Sequence, residues 1–469
     1  MPASGCPQCA QFADLVKQLQ LQVNELQSQV RELKARLNTH SGNSSLPPSA
    51  NPPNAPKLPP KPPSSRKSGG QPGHAGHARL RLPPERVNEV ICHVPRTCEN
   101  CRACLPEKPG RSDPEPHWHQ VAELPAVAAT ITEHQAHGRK CPDCGHVTWA
   151  QIPADVRAHV FGPKLAAAVA FLSGRCHGST RLVAEIVQTL FGVPIFVGSI
   201  CNLQEEAAAA LAAAHTQAEQ AVRVAPVKNT DETGWSLAGQ LCWLWMAATH
   251  SVAYFKICAG RGRASFRELL GESIDGIICT DRWSAYNIVD LAQRQLCWAH
   301  LKRDFQKWLD QGGDGLAIGR AGLEAVEQVF GLWRDFREGL IDRPILRAGL
   351  EPICTRLHAA LEAGQGRSEN KRVRRFCRNI LEVYPALWTF ARAEGVEPTN
   401  NHAERTLRLA VIWRKISFGN HSEAGCRFAE RILTVVQTLR LQQRNVMDYL
   451  EQALASHRTG QSIPAIIPV

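Results

Sequence analysis

The alternation of apolar and polar positions changes character several times along the chain, and each change predicts a different element. Residues 12 to 37 space their apolar side chains at alternating steps of four and three: Phe12, Val16, Leu19, Val23, Leu26, Val30, Leu33 and Leu37. This is the a/d stripe of a coiled coil, and valine at a with leucine at d favours two parallel strands. No proline or glycine interrupts it. The prediction is self-association through residues 10–40; the alternative is one amphipathic helix packed on its own protein. The stripe then stops. Residues 41–86 contain LPPSANPPNAPKLPPKPP and the basic, Gly-rich RKSGGQPGHAGHAR, with too few apolar side chains to offset the entropy of ordering. A Pro-rich basic linker is expected there. Its Lys and Arg side chains either meet DNA phosphates or are simply solvated.

Helical periodicity returns over 155–224. Leu182, Ile186, Val187 and Leu190 predict one apolar helix face, GVPIF breaks it, and Ser199 is placed to cap a following Ala-rich helix. Helix, turn, helix is the outline of a DNA reader, and also of any ordinary packed helix pair. From Pro226 the pattern shortens to strand length. APVKNTDETGW reads as a strand ending at an acidic turn. LCWLWMAAT and SVAYFKICA read as strands joined tightly at His250 and Ser251. RASFRELLG reads as a helix and GIICTDRW as a buried strand. Residues 302–395 are helical in pattern, with breaks at QGGDG and EAGQGRSEN, and a last helix begins in NNHAERTLRLAVIWRKISF. The predicted fold class is multidomain α/β plus α. It comprises the coiled coil (10–40), the linker (41–86), a zinc-binding segment (87–150) and a helical DNA-binding region (155–224). An RNase H-like core (225–425, helical insertion about 305–397) and a C-terminal helical segment (426–469) follow.

Composition adjusts this picture in three ways. A chain of 469 residues exceeds what one core usually serves. A net charge of +11 suits a polyanionic partner, DNA first among them, although solubility alone also explains it. No run of about 18 apolar residues and no apolar leader is evident, so a cytoplasmic, nucleoid-associated protein is expected. In that reducing compartment the 17 cysteines point to metal rather than disulfides. Isolated ones such as Cys176, Cys201 and Cys377 are expected to be small core residues.

Two constellations carry candidate chemistry. Cys98-x-x-Cys101 and Cys141-x-x-Cys144 are CxxC knuckles able to offer four thiolates to one structural zinc ion. Cys104 competes as a ligand, Cys92 and His93 lie nearby, and Cys6 with Cys9 forms a further pair of unassigned role. The second constellation is acidic. Asp231 ends one predicted strand, Asp281 ends another 50 positions on, and Glu404 opens the last helix. Three hard carboxylates on converging elements suit two magnesium or manganese ions, the pair that in-line phosphodiester chemistry uses. Each acid alone reads as a solvated charge; the combination suggests an RNase H-like sheet.

Those residues carry a resemblance. The zipper, SSLPPS, GGQPGH, the CxxC pairs, DETGW, TDRWSAYN, CWAHLKRDF and NNHAERTLRLAVIWRK occur in the order seen in the insertion-sequence-66 family of bacterial transposases, which the chain resembles along almost its whole length. The resemblance implies a DDE triad of Asp231, Asp281 and Glu404, DNA strand cleavage and transfer at transposon ends, and small accessory proteins as partners. It places His300 and Arg303 near the active site, with Asn401, Arg405, Arg408 and Lys415 on the Glu404 helix as active-site support or DNA contacts. His300 also reads as a buried helix-face histidine, and Arg408 as an i, i+4 partner of Glu404. The chain departs from the family's Gly-Tyr after the second acid, having Arg282 and Trp283. A domesticated, non-catalytic zinc-containing DNA-binding protein is the rival reading.

Overall fold

The computed structural model describes residues 18–20, 22–23, 25–26, 80–108, 110, 113–125 and 127–467. Of the heptad, Leu19, Val23 and Leu26 fall in that set; they are helical and exposed. The rest of the predicted coiled coil, most of the linker, and Cys6 and Cys9 lie outside the described residues. The chain divides into two compact units, residues 59–129 and the remainder.

In the smaller unit, a tight loop carries Cys98 and Cys101. It is closed by Cys98 N–H to Ala103 O (2.9 Å), by Leu105 N–H to Arg96 O (2.9 Å) and by a bridge between Thr97 and Cys104. The Gln120 amide spans both backbone groups of Leu82.

After residue 129 the larger unit continues with a hairpin, β1 (Gly138–Lys140) and β2 (Val147–Trp149). Five helices follow: α1 (Ala154–Ala158), α2 (Pro163–Gly174), α3 (Thr180–Phe191), α4 (Val197–Ala210) and α5 (Ala212–Val224). Ser179 caps α3 by accepting from Leu182 N–H at 3.3 Å. The buried face of α3 is Val183 and Val187, whereas Leu182 and Leu190 are exposed, one position off the predicted stripe. Helix α4 starts at Val197, so Ser199 lies inside its first turn and caps nothing. Cys176 and Cys201 are exposed, contrary to expectation; Cys377 is buried.

The sheet then forms from β3 (Val227–Leu237), β4 (Gln240–Ala248), β5 (Ala253–Cys258), β6 (Ile277–Thr280) and β7 (Arg294–Leu296), with α6 (Arg263–Leu270) crossing between β5 and β6. Spatial order is β5-β4-β3-β6-β7; β3, β4 and β5 are antiparallel, and β6 and β7 run parallel to β3. The predicted acidic turn is instead mid-strand. Pairing with β4 runs unbroken from Asn229 to Leu237, and the reversal comes at Ala238 and Gly239, both at positive φ, as a two-residue hairpin requires.

Helices α7 (Trp298–Gln311), α8 (Gly315–Arg337), α9 (Arg343–Arg367), α10 (Lys371–Leu381) and α11 (Thr389–Arg392) build a second apolar core on Trp298, Phe305, Leu346, Leu357 and Phe390. The predicted break at EAGQGRSEN is narrower than expected, since α9 stays helical to Arg367. Gly364 is there for close packing: a Cβ would meet Cys377 Sγ of α10 at 2.7 Å.

Helices α12 (Asn401–Ser417), α13 (Glu423–Leu441) and α14 (Val446–Thr459) complete the fold. They pack with α2–α4 and the start of α5 in one core with Leu244, Met246 and Phe255, while Ala218 and Val222 of α5 belong to a third core with Trp245, Tyr254 and Phe266. Residues from 155–224 and from 426–469 thus contribute to the same apolar core as β4 and β5. Helix α13 also seals the open edge of β5. Thr438 Oγ1, Thr434 Oγ1 and Glu430 Oε1 accept from Ala253, Phe255 and Ile257 N–H at 3.1, 3.0 and 2.6 Å. Four helical residues advance about 6 Å and two strand residues about 6.6 Å, so the two periods stay nearly in step. An edge that would otherwise pair with another chain is thereby satisfied.

Candidate active site

Asp231 sits at the centre of β3, the middle strand. Asp281 follows immediately after β6, which pairs with β3, and Glu404 occupies the first turn of α12, which packs across β3. The other two acids, far away in the chain, bear on Asp231. The Asp231 carboxyl is pushed well above the usual carboxylate range, first by burial, then by the charges of Glu232, Asp281 and Glu404.

Each acid has a distinct support. The Asp281 loop is pinned by the fully buried Arg294, whose Nη2 donates to Asp281 O at 3.0 Å. Its Nε donates to Thr280 Oγ1 at 3.0 Å and its Nη1 to Asn287 Oδ1 at 2.9 Å. Trp283 N–H donates to Asp281 Oδ1 at 2.8 Å. Glu404 faces His300 Nδ1 at 3.6 Å and Arg303 Nη2 at 3.5 Å, both on α7. Burial, then the Arg303 charge, lowers the His300 pKa, and its buried Nδ1 has no hydrogen-bond partner. His300 and Arg303 thus both lie beside Glu404. Arg408 is exposed and is not among the ion-pair partners of Glu404; Arg405 and Lys415 are exposed too, and Asn401 is half-buried.

Two residues that sequence reasoning passed over hold the site together. Asn400, not Asn401, is the buried one. Its Nδ2 donates to Thr230 O at 2.8 Å, its Oδ1 accepts from Asn229 Nδ2 at 2.8 Å, and its carbonyl accepts from Glu404 N–H at 3.2 Å. One side chain fastens the helix bearing the third acid to the strand bearing the first. Glu232, directly beside Asp231, is also buried; Arg261 Nε donates to its Oε1 at 2.7 Å and the Tyr286 hydroxyl donates to its Oε2. The doubled asparagine and the second acid of DETGW were the available signals, but neither says which neighbour turns inward.

The acids offer hard oxygen donors whose mutual repulsion a divalent cation would relieve, so the donor chemistry fits magnesium or manganese. Among the described residues, however, no three His, Cys, Asp or Glu side chains already converge as a closed metal cage. The engagement of Glu404 with Arg303 and His300 is consistent with that open arrangement.

The CxxC knuckles are local structures. Amides of Cys101 and Asn100 hold the Cys98 thiol below its ordinary pKa, and those of Cys144 and Asp143 do the same for Cys141. At Cys141 the turn is closed by Gly145 N–H to Cys141 O (3.0 Å) and Cys141 N–H to His146 O (2.8 Å), with Gly145 at φ +73°. Among the described residues no helix is long and apolar enough to cross a membrane.

Comparison with known proteins places these features in context. Residues 158–427 match the model of the transposase IS66 family, and residues 7–80 match a family of unknown function, DUF6444. An uncharacterized protein, y4qI, of Sinorhizobium fredii (strain NBRC 101917 / NGR234) is 28% identical over 249 residues, covering 48% of this chain and 44% of that protein. The chain thus spans under half the length of that relative.

Proposed function

The chain belongs to the IS66 transposase family, and from that premise we propose that it cuts and joins DNA at the ends of a mobile element, using Asp231, Asp281 and Glu404 as ligands for two magnesium or manganese ions. The observation that carries this reading is the placement of Asp231 on β3, Asp281 at the end of its parallel neighbour β6, and Glu404 on the helix that Asn400 ties to β3. The strand order and directions around β3 support an RNase H-like core, in which the first acid lies on the central strand and the second on its parallel neighbour. When bound, the divalent ions supply Lewis-acid stabilisation of the attacking and leaving oxygens of phosphodiester exchange. The chain's residues do the rest. Arg294 and Trp283 hold the Asp281 loop, Asn400 sets the entry of α12, and Arg303 with His300 orients Glu404.

DNA would reach this site across basic surface. Helix α10 exposes Lys371, Arg372, Arg374, Arg375 and Arg378, and such a row suits a phosphate backbone. It is anchored near the second acid, since Arg282, bonded to Asp304, also lies over the Phe376 ring of α10 at 5.4 Å. Zinc on the CxxC knuckles and pairing through the heptad belong to the same proposal: the first would stiffen an end-binding segment, the second would hold two ends at once.

The test uses supercoiled DNA carrying the element's ends. The wild-type chain should nick it only with magnesium or manganese. Asp231→Asn should bind the ends with near wild-type affinity and lose about a thousandfold or more in cleavage rate. Cleavage retained in Asp231→Asn refutes the assignment. Binding without cleavage by the wild-type chain favours a non-catalytic DNA-binding protein.

A further inference from the structure

We propose that Glu232, Arg261 and Trp283 form a positioning relay that fixes the orientation of the Asp281 carboxylate. The proposal rests on the reading of Asp281 as a metal ligand. It begins with a puzzle: a second buried carboxylate lies beside the first acid, close enough for Asp281 to act on it. Glu232 is not open as a further ligand, because Arg261 occupies one oxygen and Tyr286 the other. Its side chain is 1% exposed, and a buried carboxylate held this way is a rigid anchor for a guanidinium.

Arg261 passes that rigidity outward. Its guanidinium lies 4.7 Å from the Trp243 ring and 4.0 Å from the Trp283 ring, clamped against both. Trp283 Nε1 then donates to the Arg261 carbonyl at 2.9 Å, fixing the indole at a second point. The backbone N–H of the same Trp283 donates to Asp281 Oδ1. The indole is 37% exposed, so burial alone does not account for a tryptophan here; its contacts with Arg261 do. Two holds therefore converge on one loop: Arg294 grips the Asp281 main chain, and the relay aims its side chain. The residues that depart from the family's Gly-Tyr after the second acid are accounted for as well, Arg282 by Asp304 and Trp283 by Arg261.

The experiment measures Mn2+ affinity of the full chain by calorimetry, alongside the metal midpoint for nicking, the melting temperature and end-DNA binding. Trp283→Ala, at a solvent-facing rim, should raise the Mn2+ dissociation constant and the metal midpoint about tenfold, with melting temperature and end binding unchanged. Arg261→Lys keeps the charge on Glu232 but loses the planar stack, and should shift both by a similar factor. The double variant should be no worse than either single one, because both break the same chain of contacts. Trp283→Phe, which keeps a ring and the backbone amide, should recover most of the shift. Unmoved Mn2+ affinity in both single variants, or strictly additive shifts in the double, overturns the relay. A wild-type chain that binds no Mn2+ overturns the metal reading and the relay with it.

Discussion

The two candidate metal-directed regions are built in opposite ways. Each cysteine knuckle is a few consecutive residues in which a tight turn aims amides at a thiol, as at Cys98 with Cys101 and at Cys141 with Cys144. The acid cluster has no local form. Asp231, Asp281 and Glu404 are carried by one part of the fold only because β6 pairs with β3 and because Asn400 ties α12 to Thr230. A local motif can form before the rest of the fold does, whereas a non-local one inherits the stability of everything between its parts. The knuckles should therefore depend on metal, and the acid site on packing.

The largest effect expected from this contrast is at the knuckles. Cys141→Ser should strip bound zinc, measured by elemental analysis, since structural zinc contributes on the order of 10 kcal/mol to small folds. The melting of the sheet-bearing core should not change. A core that melts with zinc loss would erase the contrast. Comparing zinc loss in Cys98→Ser and Cys141→Ser shows whether the two knuckles serve one ion or separate ones.

Next in size is Asn400→Ala, which leaves Thr230 O and the Asn229 amide without their partner. Denaturant unfolding should show a loss of about 3 kcal/mol, with cleavage falling further than end binding does. An unchanged midpoint would remove Asn400 as the link between the acids.

An effect that approaches the same size only in acid concerns His177, buried, stacked on Trp413 of α12 and lowered in pKa to about 4, chiefly by burial and then by Arg175. The unfolded chain takes up this proton near pH 6.5 and the folded one only near 4. Its contribution is thus fully present above 6.5 and is lost as the pH falls towards 4, by on the order of 3 kcal/mol at the limit. His177→Phe should flatten the melting temperature over that window; an equally steep profile would show that other groups set the acid sensitivity.

The smallest effect expected is Thr434→Val, which removes the acceptor for Phe255 N–H and should cost about 1 kcal/mol. If the edge seal is merely decorative, the melting curve will not move.

Much of the architecture was legible because it is written in local periods. The strand runs around Trp245 and Phe255, the helix opening at Asn401, the strand before Asp281 and the CxxC turns all came from residue type and spacing. The errors were of register and direction. Leu182 and Leu190 look outward while Val183 looks in, because a single periodicity cannot say which side of α3 meets its neighbours α2 and α4. Asp231 lies mid-strand because the reversal is set by Ala238 and Gly239, seven residues later.

By itself the sequence determined the inventory: which segments are helix or strand, which acids they carry, and which family signatures they bear. Only the tertiary structure decided which of two adjacent residues turns inward. Asn400 is chosen over Asn401, and Glu232 is given to Arg261 while Asp231 is left to Asp281 and Glu404. Spacing fixes a side chain's phase along its own element. Its partners belong to other elements, and they are selected only when the sheet and helices close around one core.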